Sequence, residues 1–388
     1  MGANAEGVPA IAPRAALEAR DALLLDLRAP VEFAEDHLEG ALNVPLFDDV
    51  ERALVGTLYA RQSPEKAFET ARELVLGDVG ELVARIEALA GWQASERDLR
   101  AVVGELTEGG IAALERRVAP LRIPKAPERA VVLHCWRGGL RSRSVAALLR
   151  ALGLERAVVI EGGYKACRAE VVSTLETFRA PQTFVLRGLT GVGKTLVLRE
   201  LERLRPGWTI DLEGLAQHRS SVLGGAGLAP VKQKRFESAL ARRIERGLPG
   251  PLVLEGESRK VGDVIVPGPL WRALDGAGSL MLVAPLERRV DVLIADYLAT
   301  PTGRDELVRG LEFLETRVDP AGREPLVRLL ESGRERELVA LLLERWYDPR
   351  YRHAEQGRRH LARFDSSDPA ACAHAIAGWI DDRAGPAR

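Results

Sequence analysis

Short apolar runs alternate with amphipathic stretches along most of the chain. DALLLDLR (residues 21–28), RAVVLHC (129–135) and RAVVIEGG (156–163) are compact apolar segments bounded by charge. That is the pattern of strands buried on both faces. Between the last two, RSRSVAALLRALG (141–153) carries apolar residues at helical spacing and closes at Gly153, a glycine suited to a helix C-terminus. Strand, helix and strand at this spacing form a βαβ unit, which predicts a parallel sheet. Residues 48–125 interrupt the unit. Rich in Ala, Leu, Glu and Arg, they read as a long helical insertion. After a break at Ala180-Pro181 the alternation restarts with QTFVLRG (182–188), a glycine-rich turn and a helix from about Thr195. Further strands are expected in WTIDLEG (208–214), GPLVLEGE (250–257) and SLMLVAP (279–285), and helices over 287–299 and 325–345. The pattern predicts an α/β chain of two domains, 1–178 and 181–388, each on a mainly parallel sheet. It contains no internal repeat.

Length and composition narrow the class. A chain of 388 residues fits two or three domains, and 46% hydrophobic with 29% charged residues argues against long disorder. No apolar run approaches the ~18 residues of a membrane span. The first residues lack a basic region followed by an apolar core, so no secretory signal is expected. Three cysteines, Cys135, Cys167 and Cys372, fit a reducing compartment in which a thiol serves chemistry, so a cytoplasmic location is expected. The net charge of −1 conceals an asymmetry. Residues 1–100 hold 10 Lys and Arg against 19 Asp and Glu, whereas residues 101–250 hold 25 against 14. The basic middle third suits an anionic partner such as nucleic acid.

Two stretches carry chemistry. His134-Cys135-Trp136-Arg137-Gly138-Gly139-Leu140-Arg141-Ser142 joins a predicted strand to a predicted helix. A loop of this length can turn its N–H groups toward the sulfur, and the helix adds the positive end of its dipole. With Arg137 and Arg141 nearby, these groups favour a thiolate, so Cys135 is the expected nucleophile. Cysteine phosphatases use the same His-Cys-x-x-Gly-x-x-Arg-Ser spacing, and rhodanese-type sulfurtransferases use a similar strand, loop and helix. The surrounding segment favours the second. Asp26-Leu27-Arg28, Glu32-Phe33 and His37 through Pro45 look like the rhodanese N-terminal signature, and Glu161-Gly162-Gly163 resembles the turn that closes that domain.

The second stretch, Gly188-Leu189-Thr190-Gly191-Val192-Gly193-Lys194-Thr195, fits G-x-x-x-x-G-K-[ST]. Gly188, Thr190, Gly191 and Gly193 would wrap a diphosphate with backbone N–H groups. Lys194 would reach the terminal phosphate, and the Thr195 hydroxyl is a candidate Mg²⁺ contact. Glu255 is the candidate metal partner, Glu257 a candidate acid or base, and Arg259 and Lys260 candidate phosphate binders. Asp211, His218 and Arg219 form a further polar cluster after a strand end. Nothing in this set specifies ATP hydrolysis. Any diphosphate substrate would suit the loop.

A rhodanese-like domain followed directly by a P-loop domain resembles the bacterial tRNA 2-selenouridine synthase family. Cys135 to Gly139 with Arg141-Ser142, Glu51-Arg52, Val55 to Tyr59, Gly188 to Thr195, Asp211 to Ala216 with His218-Arg219, and Glu255 to Gly262 carry the resemblance in order. It implies a transferase that replaces the sulfur of a wobble 5-substituted 2-thiouridine in tRNA with selenium from selenophosphate. It further implies a geranylated thiouridine made from geranyl diphosphate, contact with the anticodon region, and a partner enzyme supplying selenophosphate. The rival readings are a sulfurtransferase or cysteine phosphatase with a regulatory nucleotide-binding domain, and a nucleotide-switched binding module.

Overall fold

The structure is a computed structural model that describes residues 7–19, 21–256, 258–298, 301–318, 325–354 and 357–384. The chain forms two compact units, residues 1–173 and 174–388.

The first unit is built on six parallel strands in the order β3-β2-β5-β6-β1-β4. These are β1 (Val8–Ile11), β2 (Leu23–Asp26), β3 (Leu42–Asn43), β4 (Pro120–Arg122), β5 (Val131–His134) and β6 (Ala157–Ile160). β5 and β6 are buried throughout, as unbroken apolar runs in a covered parallel sheet should be. β5 alternates between the two layers. Val131 and Leu133 face a core that includes Leu82, Ile86, Leu114 and Val118, while Ala130 and Val132 join Ile11, Tyr164 and Cys167. The insertion is therefore the helical cover of one sheet face. Its helices are Asp49–Arg61, Pro64–Ala90, Leu99–Thr107 and Gly110–Arg117. They begin and end on local chemistry: Asp48 and Ser63 accept first-turn N–H groups, and Gly91, at φ +58°, closes the long helix. The span expected to be helical ends differently, since Pro120–Arg122 is a strand paired with β1.

The second unit holds five parallel strands in the order β13-β12-β7-β9-β8. They are β7 (Thr183–Arg187), β8 (Thr209–Ile210), β9 (Leu252–Glu255), β12 (Gly278–Val283) and β13 (Ala362–Asp365). A short antiparallel hairpin, β10 (Lys260–Val261) and β11 (Val264–Ile265), lies between β9 and β12 in the chain. Helices Lys194–Leu204 and Pro369–Ala384 cover one face, with Val197, Leu201, Ile376 and Ile380 against Phe184, Val253 and Leu280. Helices Pro301–Val318, Leu326–Glu331 and Glu335–Leu342 gather a separate leucine core. The helix expected over 325–345 is broken at Gly333, whose φ of +76° no continuing helix adopts.

Candidate active sites

In the first unit the chemistry sits where β2 and β5 end. Asp26 and His134, the last residues of these strands, are register partners. Cys135 follows, 3% exposed, with its Sγ 3.3 Å from Ser142 Oγ in the first turn of helix Leu140–Ala151. Gly139 is the N-cap and offers no side chain to it, so the first-turn N–H groups and the positive end of the dipole adjoin the loop. Glycines interlock to hold it. Gly138 and Gly163 have φ of +60° and +61°. A Cβ on Gly163 would lie 2.3 Å from Gly138 N and 2.4 Å from Cys135 O. The Gly162-Gly163 turn thus seats directly on the cysteine loop, and Tyr164 and Lys165 donate N–H bonds of 2.9 Å to the carbonyls of Cys135 and Trp136.

A buried polar network underlies this loop. The Arg28 guanidinium donates to Asp26 at 2.6–3.0 Å and to the Asp36 carbonyl at 2.8 Å, and stacks 3.8 Å from the Tyr164 ring centroid. Tyr164 Oη donates to Asp36 Oδ2 at 2.7 Å. His134 Nδ1 is 3.7 Å from Asp26 Oδ1. Burial pushes His134 down to about 4 against the upward pull of Asp26, so its ring is neutral at pH 7. Charges this deeply buried persist only when paired and hydrogen-bonded, as here, and such a network gives the loop a rigid floor. Above it, Arg141 is 27% exposed with Nη1 3.8 Å from Glu32 Oε2, and Arg52 lies 3.5 Å from the other Glu32 oxygen. Arg137 is exposed.

In the second unit, Gly188 to Thr195 leaves the central strand β7 and enters helix Lys194–Leu204. The loop is tightly seated. A Cβ on Gly188 would lie 2.6 Å from Leu282 O, and one on Gly191 2.8 Å from Arg289 O. Buried Ser366 donates to Val192 O at 2.7 Å. Arg289 Nε donates to Thr190 O at 2.8 Å, and the same guanidinium grips the buried Asp348 carboxylate with both terminal nitrogens. Tyr351, on helix Asp348–Ala354, accepts the Gly188 N–H at 2.7 Å, and Lys194 Nζ is 6.0 Å from its ring centroid. Glu255, wholly buried at the end of β9, is the register partner of Leu186. A buried carboxylate therefore stands at the end of the strand next to β7.

The model for the tRNA 2-selenouridine synthase AAA domain matches residues 181–311. The tRNA 2-selenouridine synthase of Nitrosomonas europaea is 33% identical over 300 residues, 76% of this chain and 68% of the relative. That of Chromohalobacter salexigens is 32% identical over 372 residues, covering 89% of this chain and 91% of the relative. This chain belongs to the tRNA 2-selenouridine synthase family. A third synthase, from Pseudomonas syringae pv. tomato, is 28% identical over 95% of this chain and 96% of its own length.

The remaining residues singled out in the sequence fall into distinct roles. Asp211 accepts the Gly214 N–H at 2.6 Å and caps helix Leu212–Ala216. His218 accepts the Ser220 N–H at 3.1 Å, and burial lowers its basicity. Gly262 packs so closely on the His218 ring that a Cβ would lie 2.5 Å away, so the Asp211–His218 and Glu255–Gly262 segments meet at this histidine. Arg219 turns inward: it donates to Asp296 Oδ2 at 2.6 Å and Ala226 O at 2.7 Å, leaving it to hold its own loop. Arg259 is exposed, and Glu257 lies outside the described residues. Burial pushes the Cys167 and Cys372 thiols up to about 12, so neither is a thiolate at neutral pH. Sequence reasoning missed Arg28, Asp36, Tyr164, Arg289, Asp348 and Tyr351 as site residues. Asp26-Leu27-Arg28 did stand out as a motif, but nothing local revealed its partners.

Proposed function

We propose that this synthase exchanges sulfur for selenium at a wobble 5-substituted 2-thiouridine of cytoplasmic tRNA in two steps, one at each loop. At the P-loop the thiouridine sulfur attacks C1 of geranyl diphosphate. A C–S bond forms, the C–O bond to the diphosphate breaks, and pyrophosphate leaves. At the Cys135 loop the selenium of selenophosphate displaces geranylthiol from C2 of the base, and hydrolysis of the P–Se bond releases phosphate. Selenium enters and leaves at the selenide level, so the sequence needs no oxidant. Geranylation turns the thione sulfur into a thiolate leaving group.

Each chain residue has a part. The P-loop N–H groups and Lys194 hold the diphosphate and offset charge growing on the departing pyrophosphate. The Thr195 hydroxyl and the Glu255 carboxylate are oxygen donors of the kind Mg²⁺ takes together with substrate phosphates, and the ion would neutralise leaving-group charge there. Arg137, Arg141 and the glycine backbone of the Cys135 loop would hold the phosphoryl group of selenophosphate, and the Cys135 thiol would position its selenium against C2 of the base. The observation that supports this most is the presence, in one chain of this family, of two glycine-rich loops that each lead from the end of a parallel strand into a helix N-terminus, one around Cys135 and one around Lys194.

Lys194→Ala should abolish geranylation of thiouridine tRNA yet still selenate pre-geranylated tRNA. Cys135→Ala should do the reverse, because the nucleophile in geranylation is the tRNA sulfur. Mass spectrometry of the nucleosides from each mutant reads both steps. Normal geranylation by Lys194→Ala, or full selenation by Cys135→Ala, would overturn the assignment.

A further inference from the structure

Under the helices of the second unit lies a cavity whose empty space, counting its open mouth, is ≈ 560 Å³. The pocket opens to solvent, so only part of that space is enclosed. Its walls are almost wholly hydrocarbon, including Leu293, Ile294, Leu311, Leu338 and Leu342, and one wall residue, Thr190, belongs to the P-loop. Two polar side chains on the lining already have partners. Tyr297 Oη is 3.0 Å from Ser221 Oγ, and Glu335 Oε1 accepts from Arg304 at 3.0 Å. A nucleobase or ribose placed here would lose its hydrogen bonds to water and find few replacements. A hydrocarbon would lose nothing.

The chamber has a direction. Helix Leu286–Tyr297 starts against the P-loop, where Arg289 holds Thr190 O and Leu293 packs 3.1 Å from where a Gly191 Cβ would be. From Arg289 to Tyr297 is about two turns, or roughly 11 Å away from the loop. Helix Glu335–Leu342 and the π-helical turn Leu343–Tyr347 lead back toward the loop, ending at Asp348, the ion-pair partner of Arg289. Single π-turns of this kind are frequent at functional sites. Leu343 and Tyr347 therefore line the end near the phosphates, and Leu338 lines the far end, with Leu311 and Leu330 from neighbouring helices closing it.

We infer that this chamber receives the prenyl tail of the diphosphate held by the P-loop, and that Leu338 and Leu311 set the length of tail accepted. The inference rests on the reading of the P-loop as a site for a diphosphate substrate. One molecule then uses both features, its charged head in the loop and its branched hydrocarbon tail in the chamber.

The test compares binding of inorganic pyrophosphate, geranyl diphosphate and farnesyl diphosphate by calorimetry, in the full chain and in two variants. The unmodified protein should bind geranyl diphosphate at least about a hundredfold tighter than pyrophosphate, since each buried methylene is worth about tenfold or more. Leu338→Trp, which fills the far end, should erase most of that preference while leaving pyrophosphate affinity within about twofold. Leu338→Ala, which deepens the chamber, should move the preference toward farnesyl diphosphate by about tenfold. The two variants change volume in opposite senses, so a fold defect in one leaves the other informative. If geranyl diphosphate is preferred and neither variant alters the ratios, the chamber is not the tail site. If the unmodified protein binds pyrophosphate but gains nothing from the geranyl group, the diphosphate-substrate reading itself fails.

Discussion

His134 shows how one buried side chain links the floor of the cysteine site to pH. An unfolded histidine takes its proton near 6.5, whereas His134 resists protonation until about 4. Between those values the unfolded chain binds more protons than the native one. The contribution is therefore complete above pH 6.5 and is lost as the pH falls toward 4. Denaturant midpoints measured at pH 7 and pH 5 should fall in the native sequence and fall less in His134→Leu. Equal changes in both proteins would show that other groups dominate. The neighbouring Arg28 and Asp26 illustrate a limit of sequence reading. Asp-x-Arg is visible as a pattern, but its meaning as a buried ion pair depends on Asp36 and Tyr164, which lie 128 residues apart in the chain.

At the scale of elements, two turns far apart in sequence build one site. Gly163 stands at φ +61°, and its missing Cβ leaves room for the backbone of Gly138 and Cys135. Gly163→Ala must push that loop away and also strain its own backbone, at a cost of about 1–3 kcal/mol. Selenation should drop by at least about tenfold, while the geranylation proposed for the P-loop should keep its rate. Nucleoside yields and a thermal melt on the same variant separate these effects; unchanged selenation would dismiss the interlock as a determinant of the site. The P-loop depends on similar remote support, from Ser366, Arg289 and Tyr351. Its glycines announced a phosphate loop, but the residues that hold it did not announce themselves. An arginine in the first turn of an amphipathic helix reads as a solvated charge until Asp348 is brought opposite it.

For the whole molecule, the excess of basic residues between positions 101 and 250 bears on tRNA. Association should weaken steeply with salt, with a log–log slope of roughly −0.7 to −0.9 per neutralised phosphate. Reversing the charge of Lys232, Lys234 and Arg235 together should weaken binding and flatten that slope. Arg219→Ala should leave the slope unchanged, because its guanidinium is already bonded to Asp296 and Ala226. Binding indifferent to salt would remove the charge asymmetry from the account of tRNA recognition. Among the described residues no helix is long and apolar enough to cross a membrane.

What the sequence by itself determined is what adjacent residues decide. Apolar runs four or five residues long became the central strands, and the cysteine and glycine-lysine motifs lie at strand ends because each includes its own strand, turn and helix. Strands such as Leu42–Asn43 and Pro120–Arg122 were invisible, since two or three residues acquire extended structure only from a partner elsewhere in the chain. The buried ion pairs were hidden for the same reason. The chamber was hidden for another: leucines at helical spacing look the same whether they fill a core or line a cavity. Only the packing of helices Leu286–Tyr297, Pro301–Val318 and Glu335–Leu342 decided that these leucines face one another across a pocket.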